Sequence, residues 1–203
     1  MNDITLYAAP MSLWSGKARA YLRKQRIPFT EVMPGHQSYK EKILPQTKRG
    51  IVPVVLLSDG AVIQDTVDII DHFEQSNQSR FSVYPEQPKQ RLTALMLDIF
   101  GSEGLLKVAM HYRWNFPEEN LSFLRYHFLY SQRDLPQRED KPDHMMDRMR
   151  FAAQLFGVSD DSRGVVEELY LDYLDTLNTH LENYPYLLGW QPCIGDFGLL
   201  APM

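Results

Sequence analysis

The chain has 203 residues, 44% of them apolar and 23% charged, a globular balance that fits one large domain or two small ones. Its net charge of −5 argues against a general nucleic-acid binder, and its one cysteine excludes an internal disulfide or a Cys-x-x-Cys centre. No run approaches the roughly 18 apolar residues of a membrane span, and the opening MNDITLYAAPM lacks a basic stretch before an apolar one. A soluble cytoplasmic protein with no membrane or nucleic-acid partner is the expectation.

Charge is unevenly spread. Residues 1–85 hold ten Lys/Arg against eight Asp/Glu, or +2, and residues 86–203 hold eleven against eighteen, or −7. A mildly basic first half suits a small anionic ligand, and chance asymmetry explains two charges as well.

ITLYAA reads as a short buried strand, and Pro10 and Ser12 then punctuate the entry to a helix, SLWSGKARAYLRKQ, with Trp14, Ala18, Tyr21 and Leu22 at helical spacing. IPFTEVM is a second strand and QSYKEKIL a short polar helix stopped by Pro45. VPVVLLSDGAVI is a hairpin turning at Asp59-Gly60, and TVDIIDHFEQ is a helix whose faces Val67, Ile70 and Phe73/Glu74 mark. The order βαβ-α-ββα predicts a parallel pair extended by an antiparallel hairpin.

From residue 76 the chain turns polar and carries two prolines, which reads as a linker between domains. Beyond it only helices are expected. RLTALMLDIFGSEGLLKVAMHYRW is long and interrupted near Gly101-Gly104; PEENLSFLRYHFLYS starts on Pro117; PDHMMDRMRFAAQLFG and SRGVVEELYLDYLDTLNTHLENY follow. QREDKPD, residues 137–143, reads as a solvated loop, and Met145, Met146 and Met149 as core filler. The expected domains are 1–78, α/β and thioredoxin-like, and 91–203, all-α, joined by 79–90.

The chemistry concentrates in KRGIVPVVLLSDGAVIQDTVDII, residues 48–70. A proline opening a strand cannot donate to the ladder, so Val52-Pro53 is either a cis bond that turns the Val52 backbone outward or a trans proline on an edge. Asp65 or Thr66 caps the following helix, whose exposed N-terminus offers amides to a carboxylate.

Together ITLYAAPMS…KARAYL, GIVPVV and DG-x-x-I-Q-DT-x-x-II resemble the thioredoxin-fold half of the soluble glutathione transferases, and the all-helical remainder fits that family. PYLLGWQPCIGDFGLLAP resembles the family's late helix-capping block, with Cys193 in place of the usual Ser/Thr cap, Gly195 in place of alanine, and Asp196 kept. The resemblance implies that Val52 and Pro53 pair the cysteinyl part of glutathione and that Asp65 and Thr66 hold its γ-glutamyl end. It aligns Ser12 with the catalytic Ser/Cys position, as in serine-type bacterial-like members; Tyr7, near the end of the first strand, is the runner-up. A thiol of pKa about 8.5 is mostly protonated at neutral pH, so a hydroxyl donating to sulfur beside a helix N-terminus stabilises the thiolate.

In that reading the thiolate attacks a small electrophile, in detoxification chemistry, held between the domains. Trp14, Tyr112, Arg113 and Trp114 are candidate substrate-site residues, and Lys17, Gln46 and Lys48 candidate borders. Trp114 serves equally as core, and Arg113 as partner to Glu118 or Asp98. The histidines show no metal-ligand spacing, so no metal is expected. The family's last helices run past the Asp196 block, whereas this chain ends at Met203, which implies a fragment or shortened member with a frayed end. A homodimer is implied by the family, and a non-catalytic scaffold with a degenerate glutathione site is the alternative. A thiol-disulfide oxidoreductase is disfavoured, because position 12 is serine and Cys193 lies in the other domain.

Overall fold

A computed structural model describes residues 4–47, 49–131 and 141–203. Strand β1 (Thr5–Tyr7) leads through Pro10 into α1 (Leu13–Lys24), followed by β2 (Thr30–Val32), β3 (Val54–Leu56), β4 (Val62–Gln64) and α2 (Thr66–Gln75). The sheet order is β2-β1-β3-β4. β1 pairs in parallel with β2, Thr5 opposite Thr30, and antiparallel with β3, while β3 and β4 form the antiparallel hairpin. This is the thioredoxin-like arrangement expected from the element order. The hairpin turns where Asp59-Gly60 foretold: Gly60 has φ +90, and the Asp59 carboxylate accepts from the Ala61 amide at 3.0 Å.

Each face of the sheet carries a core. On one side Tyr7 and Val54 pack with Tyr39 and Ile43. Those last two belong to Tyr39–Ile43, where the Leu44 amide reaches the Tyr39 carbonyl, giving a π-helical turn. The segment expected to be polar thus contributes two core residues. The apolar stripe of α1 is Ala18, Tyr21 and Leu22, and that of α2 is Ile69, Ile70 and Phe73. Val67, expected to mark a face of α2, is exposed. Arg19 grips both oxygens of Glu31, at 2.8 and 2.6 Å, locking α1 to β2. Gln25 is buried and bonded to the backbone of Arg80 and Phe81, which fixes the chain as it leaves α2.

The remaining elements are helical: α3 (Pro88–Ile99), α4 (Leu106–Trp114), α5 (Pro117–Ser131), α6 (Lys141–Leu155), α7 (Arg163–Leu181) and α8 (Ile194–Leu200). The expected interruption lies at Phe100–Gly104, a second π-helical turn closed by the Leu105 amide on the Phe100 carbonyl. Compactness divides the chain into one unit reaching Phe81 and including Ser122–Met146, and another of Ser82–Leu121 and Asp147–Met203. Residues 137–140 of the charged loop lie outside the described residues, while Lys141–Asp143 begin α6. Met146 is core, and Met149 is exposed.

In the second unit, Leu105, Val108, Val166 and Leu199 form a core flanked by Tyr112, Tyr170 and Tyr173. Where a frayed helix was expected, α8 is packed through Ile194, Phe197 and Leu199, which are buried, while Leu200 and Met203 beyond them are exposed. Asp196 accepts from the Cys193 amide at 2.8 Å and the Leu187 amide at 2.9 Å, so one carboxylate caps α8 and pins the preceding loop. Cys193 is buried beside that carboxylate, and burial together with the Asp196 charge pushes its thiol up to about 11. Among the described residues, no helix is long and apolar enough to cross a membrane.

Candidate functional site

The chain makes its β1-to-α1 turn at Pro10, and Ser12 then caps α1 in extended conformation, its Oγ accepting from the Ser15 amide at 3.2 Å. That bond occupies a lone pair and leaves the hydroxyl hydrogen without an acceptor among the described residues. Ser15 is fully buried and accepts from the Ala9 amide at 3.3 Å, which fixes the turn.

Asp65 caps α2 through a bond from the Val67 amide at 3.0 Å. Its φ of +87 with ψ 143 lies outside the regions L-residues favour, a backbone strain that persists only where neighbours impose it. Those neighbours are visible. The Asp65 amide reaches the Pro53 carbonyl at 3.4 Å, and Thr66 donates from Oγ1 to the Trp14 carbonyl at 3.2 Å.

Val52-Pro53 is cis, the first of the two forms the sequence allowed. The segment before it is tied down by groups that sequence reasoning missed. Gln64 donates to the Arg49 and Ile51 carbonyls at 2.8 and 3.0 Å, and Tyr39 donates to Ile51 at 3.1 Å. Gln64 was legible only as the residue before Asp65, since its targets lie 13 and 15 positions upstream.

The structure therefore brings together Ser12 and Trp14 on the first turn of α1, Pro53 at the start of β3, and Asp65 and Thr66 at the start of α2. Trp14 is 38% exposed, so it is a surface ring and not core. Lys17 is buried, and Gln46 bonds to the Lys42 carbonyl. Lys48 lies outside the described residues. Tyr7 stands apart: it is buried among Tyr39, Ile43 and Val54, and its hydroxyl is 2.9 Å from Ser38 Oγ, which in turn lies 2.8 Å from His36 Nδ1.

The other candidates belong to the helical unit. Tyr112 stacks on Phe116 at 5.5 Å, and burial with the nearby Glu167 charge raises its phenol. Trp114 is 5% exposed and packs as core, with the Arg150 guanidinium 6.0 Å from its ring. Arg113 is half-buried and makes no hydrogen bond or ion pair to a described residue, so the expected pairing with Glu118 or Asp98 does not form; burial pulls its pKa down. His111, fully buried, lies 2.8 Å from Glu167 through Nε2 and 2.8 Å from Asn115 through Nδ1.

Residues 6–81 match the family model of the glutathione S-transferase N-terminal domain. No curated protein matches the chain. Among solved structures, a glutathione S-transferase from Rhodospirillum rubrum shares 17% identity at a TM-score of 0.62, covering 98% of this chain and 76% of its own. The beta-etherase LigF from Sphingobium sp. shares 18% at 0.61, over 98% and 81%. A rice glutathione S-transferase solved in complex with glutathione shares 11% at 0.59, over 98% and 72%. At these identities the likeness is one of fold: a thioredoxin-like sheet with its helices, followed by helices, is the glutathione S-transferase architecture.

Proposed function

We propose that this protein is a glutathione transferase of the serine type, binding glutathione where the first turns of α1 and α2 meet. The observation that carries the reading is the hydrogen bond from Thr66 to the Trp14 carbonyl, which joins the two helix starts. Each N-terminus carries about half a positive charge in exposed amides, so the junction favours a carboxylate and a thiolate together. Asp65 and Thr66 would take the γ-glutamyl end, and the backbone of Val52 beside Pro53 the cysteinyl amide. The Ser12 hydroxyl, its lone pair used by Ser15, donates to sulfur and lowers the thiol pKa. The thiolate then forms a carbon–sulfur bond with an electrophile while the leaving group departs, and Ser12 stays unmodified. Trp14 supplies an exposed aromatic wall beside the sulfur.

A homodimer acting in the cytoplasm completes the proposal. Leu92, Met96 and Ile99 are exposed along one stripe of α3, an apolar face suited to a second copy. The same stripe favours the alternative, a scaffold that binds proteins and has lost glutathione. Titration calorimetry separates the two, because the transferase reading requires a saturable heat with millimolar glutathione, and its absence leaves the scaffold. In the transferase, Ser12→Ala lowers turnover of an activated aryl halide and raises the pKa of bound glutathione, read by thiolate absorbance, while Tyr7→Phe changes neither. Unchanged turnover in Ser12→Ala would remove serine from this role.

A further inference from the structure

The β3–β4 ladder stops just short of Val52. Its register sets Val54 opposite Gln64, and one step on the Asp65 amide still reaches the Pro53 carbonyl at 3.4 Å. Pro53 has no N–H to return, so the pairing ends there. Val52 would be the next partner, yet among the described residues neither its N–H nor its C=O forms a hydrogen bond. Arg49, Gly50 and Ile51 before it are exposed, so little packing holds the segment in place.

The side chain of Gln64 holds it instead. Its Nε2 carries two hydrogens and lies 2.8 Å from the Arg49 carbonyl and 3.0 Å from the Ile51 carbonyl, one donor for each. Tyr39 donates to the same Ile51 carbonyl at 3.1 Å, so both lone pairs of that oxygen are used. The Ile51–Val52 peptide is trans, and in a planar trans peptide the C=O and N–H point opposite ways. The two donors that fix the Ile51 carbonyl therefore aim the Val52 N–H away from themselves, toward no acceptor among the described residues. A donor held in one direction before the ligand arrives loses less freedom on binding. Gln64 also directly precedes Asp65, so two adjacent residues serve the two halves of the proposed site. Asp65 caps the helix at the γ-glutamyl end, and Gln64 sets the backbone that meets the cysteinyl part.

We infer that Gln64 is a positioning residue for glutathione, its side-chain amide presetting the Val52 N–H for a peptide carbonyl of the ligand, with Tyr39 as the second grip. This role rests on the glutathione site proposed above and involves no step of the thiol chemistry. Gln64→Met keeps the length of the side chain and removes both donors. In the ligand-free protein, ¹⁵N relaxation should find the Gly50, Ile51 and Val52 amides ordered in the parent and mobile in the variant. Calorimetry should find glutathione bound about three- to tenfold more weakly. With an activated aryl halide, KM for glutathione should rise by a similar factor while kcat at saturation is kept, because Ser12 and the sulfur are untouched. Tyr39→Phe keeps the ring and removes one of the two donors to Ile51, so it should raise KM by less, and it serves if Gln64→Met fails to fold. Gln78→Met, exposed just past α2, should change neither constant. Equal affinity in a parent and variant that both bind glutathione overturns the inference and leaves the transferase reading in place. So does a fall in kcat at unchanged KM, or a segment equally ordered in both proteins. No saturable heat in the parent removes the transferase reading, and the inference with it.

Discussion

The hydroxyl of Thr66 donates to the main-chain carbonyl of Trp14 across 52 positions of sequence, at 3.2 Å. Trp14 is in the first turn of α1, and Thr66 opens α2. The methyl of Thr66 is buried with the rest of the residue, so both halves of the side chain hold the junction. Its hydroxyl hydrogen is thereby committed, so Thr66 itself would meet a ligand through its main-chain amide.

Thr66→Val keeps the shape and removes this bond. A lost hydrogen bond of this kind costs about 1 kcal/mol, and somewhat more where the carbonyl is left unsatisfied. Urea unfolding should show that loss, and glutathione affinity should fall with it as the helix starts loosen. Thr66→Ser should retain both, apart from a small packing loss. A Val variant with native stability and affinity would show that the junction is held by other contacts.

Asp65 combines a cap with a strained backbone, and substitutions separate the two. Asp65→Ala loses the bond from the Val67 amide, about 1 kcal/mol, and places a β-carbon residue without a cap at φ +87. Asp65→Asn keeps a capping oxygen and a side chain that tolerates positive φ, so its stability should stay within about 0.5 kcal/mol of the parent. Its glutathione affinity should nevertheless fall, because the γ-glutamyl end carries an ammonium and the Asp65 carboxylate that would face it is gone. Calorimetry and denaturation on the same variants read the two effects. Equal affinity in Asp65→Asn would take the carboxylate out of ligand binding.

The first unit was largely legible because its signals are local. Asp59-Gly60 needs only four residues to form its turn, and Ser12 caps a helix that starts at the next residue. Helical spacing groups Trp14 with Ala18 and Tyr21, but in the first turn of α1 its ring stays at the surface while those two side chains are buried, which keeps it a candidate for the substrate site. On α2 the buried face is Thr66, Ile69, Ile70 and Phe73, and Val67 marks the exposed one. The ties that shape the site were not legible. Gln64 to Ile51 and Thr66 to Trp14 join residues remote in sequence, and neither residue type announces its partner. The break at Gly101-Gly104 was visible as a pair of glycines, but not the close approach at Gly101 of residues about a hundred positions further on.

The backbones of α8 and of α3 with its π-turn come into direct contact. A β-carbon at Gly101 would run into the Gly198 carbonyl oxygen, 2.5 Å away, and one at Gly198 would strike Asp98. Gly195 is nearly as tight, 2.8 Å from Leu97 Cβ. Gly101→Ala and Gly198→Ala must therefore separate two packed segments and should each cost about 1–3 kcal/mol or more. At Gly164 on α7 an added β-carbon would meet nothing within 4 Å, so Gly164→Ala should stabilise by about 0.4–1 kcal/mol. Thermal unfolding of the three variants checks both signs at once. Tolerance of alanine at 101 and 198 would mean that the helices part without cost.

Cys193 gives an alkaline prediction. Its thiol sits near 11 in the folded protein, against an ordinary value of about 8.5–9, because burial and the Asp196 charge disfavour the thiolate. Between those values the folded chain holds a proton that the unfolded chain has released, so stability falls as pH rises. Below about pH 8.5 both states are protonated and the contribution is fully present. Cys193→Ser removes this titration and retains a hydroxyl able to cap α8, so its stability should lose less between pH 9 and 11 than the parent's does. The same burial makes the native thiol slow toward an aromatic disulfide reagent at about pH 8, with full reactivity regained in denaturant. A thiol that reacts rapidly in the native state would place Cys193 in contact with solvent and remove the basis of the pH dependence.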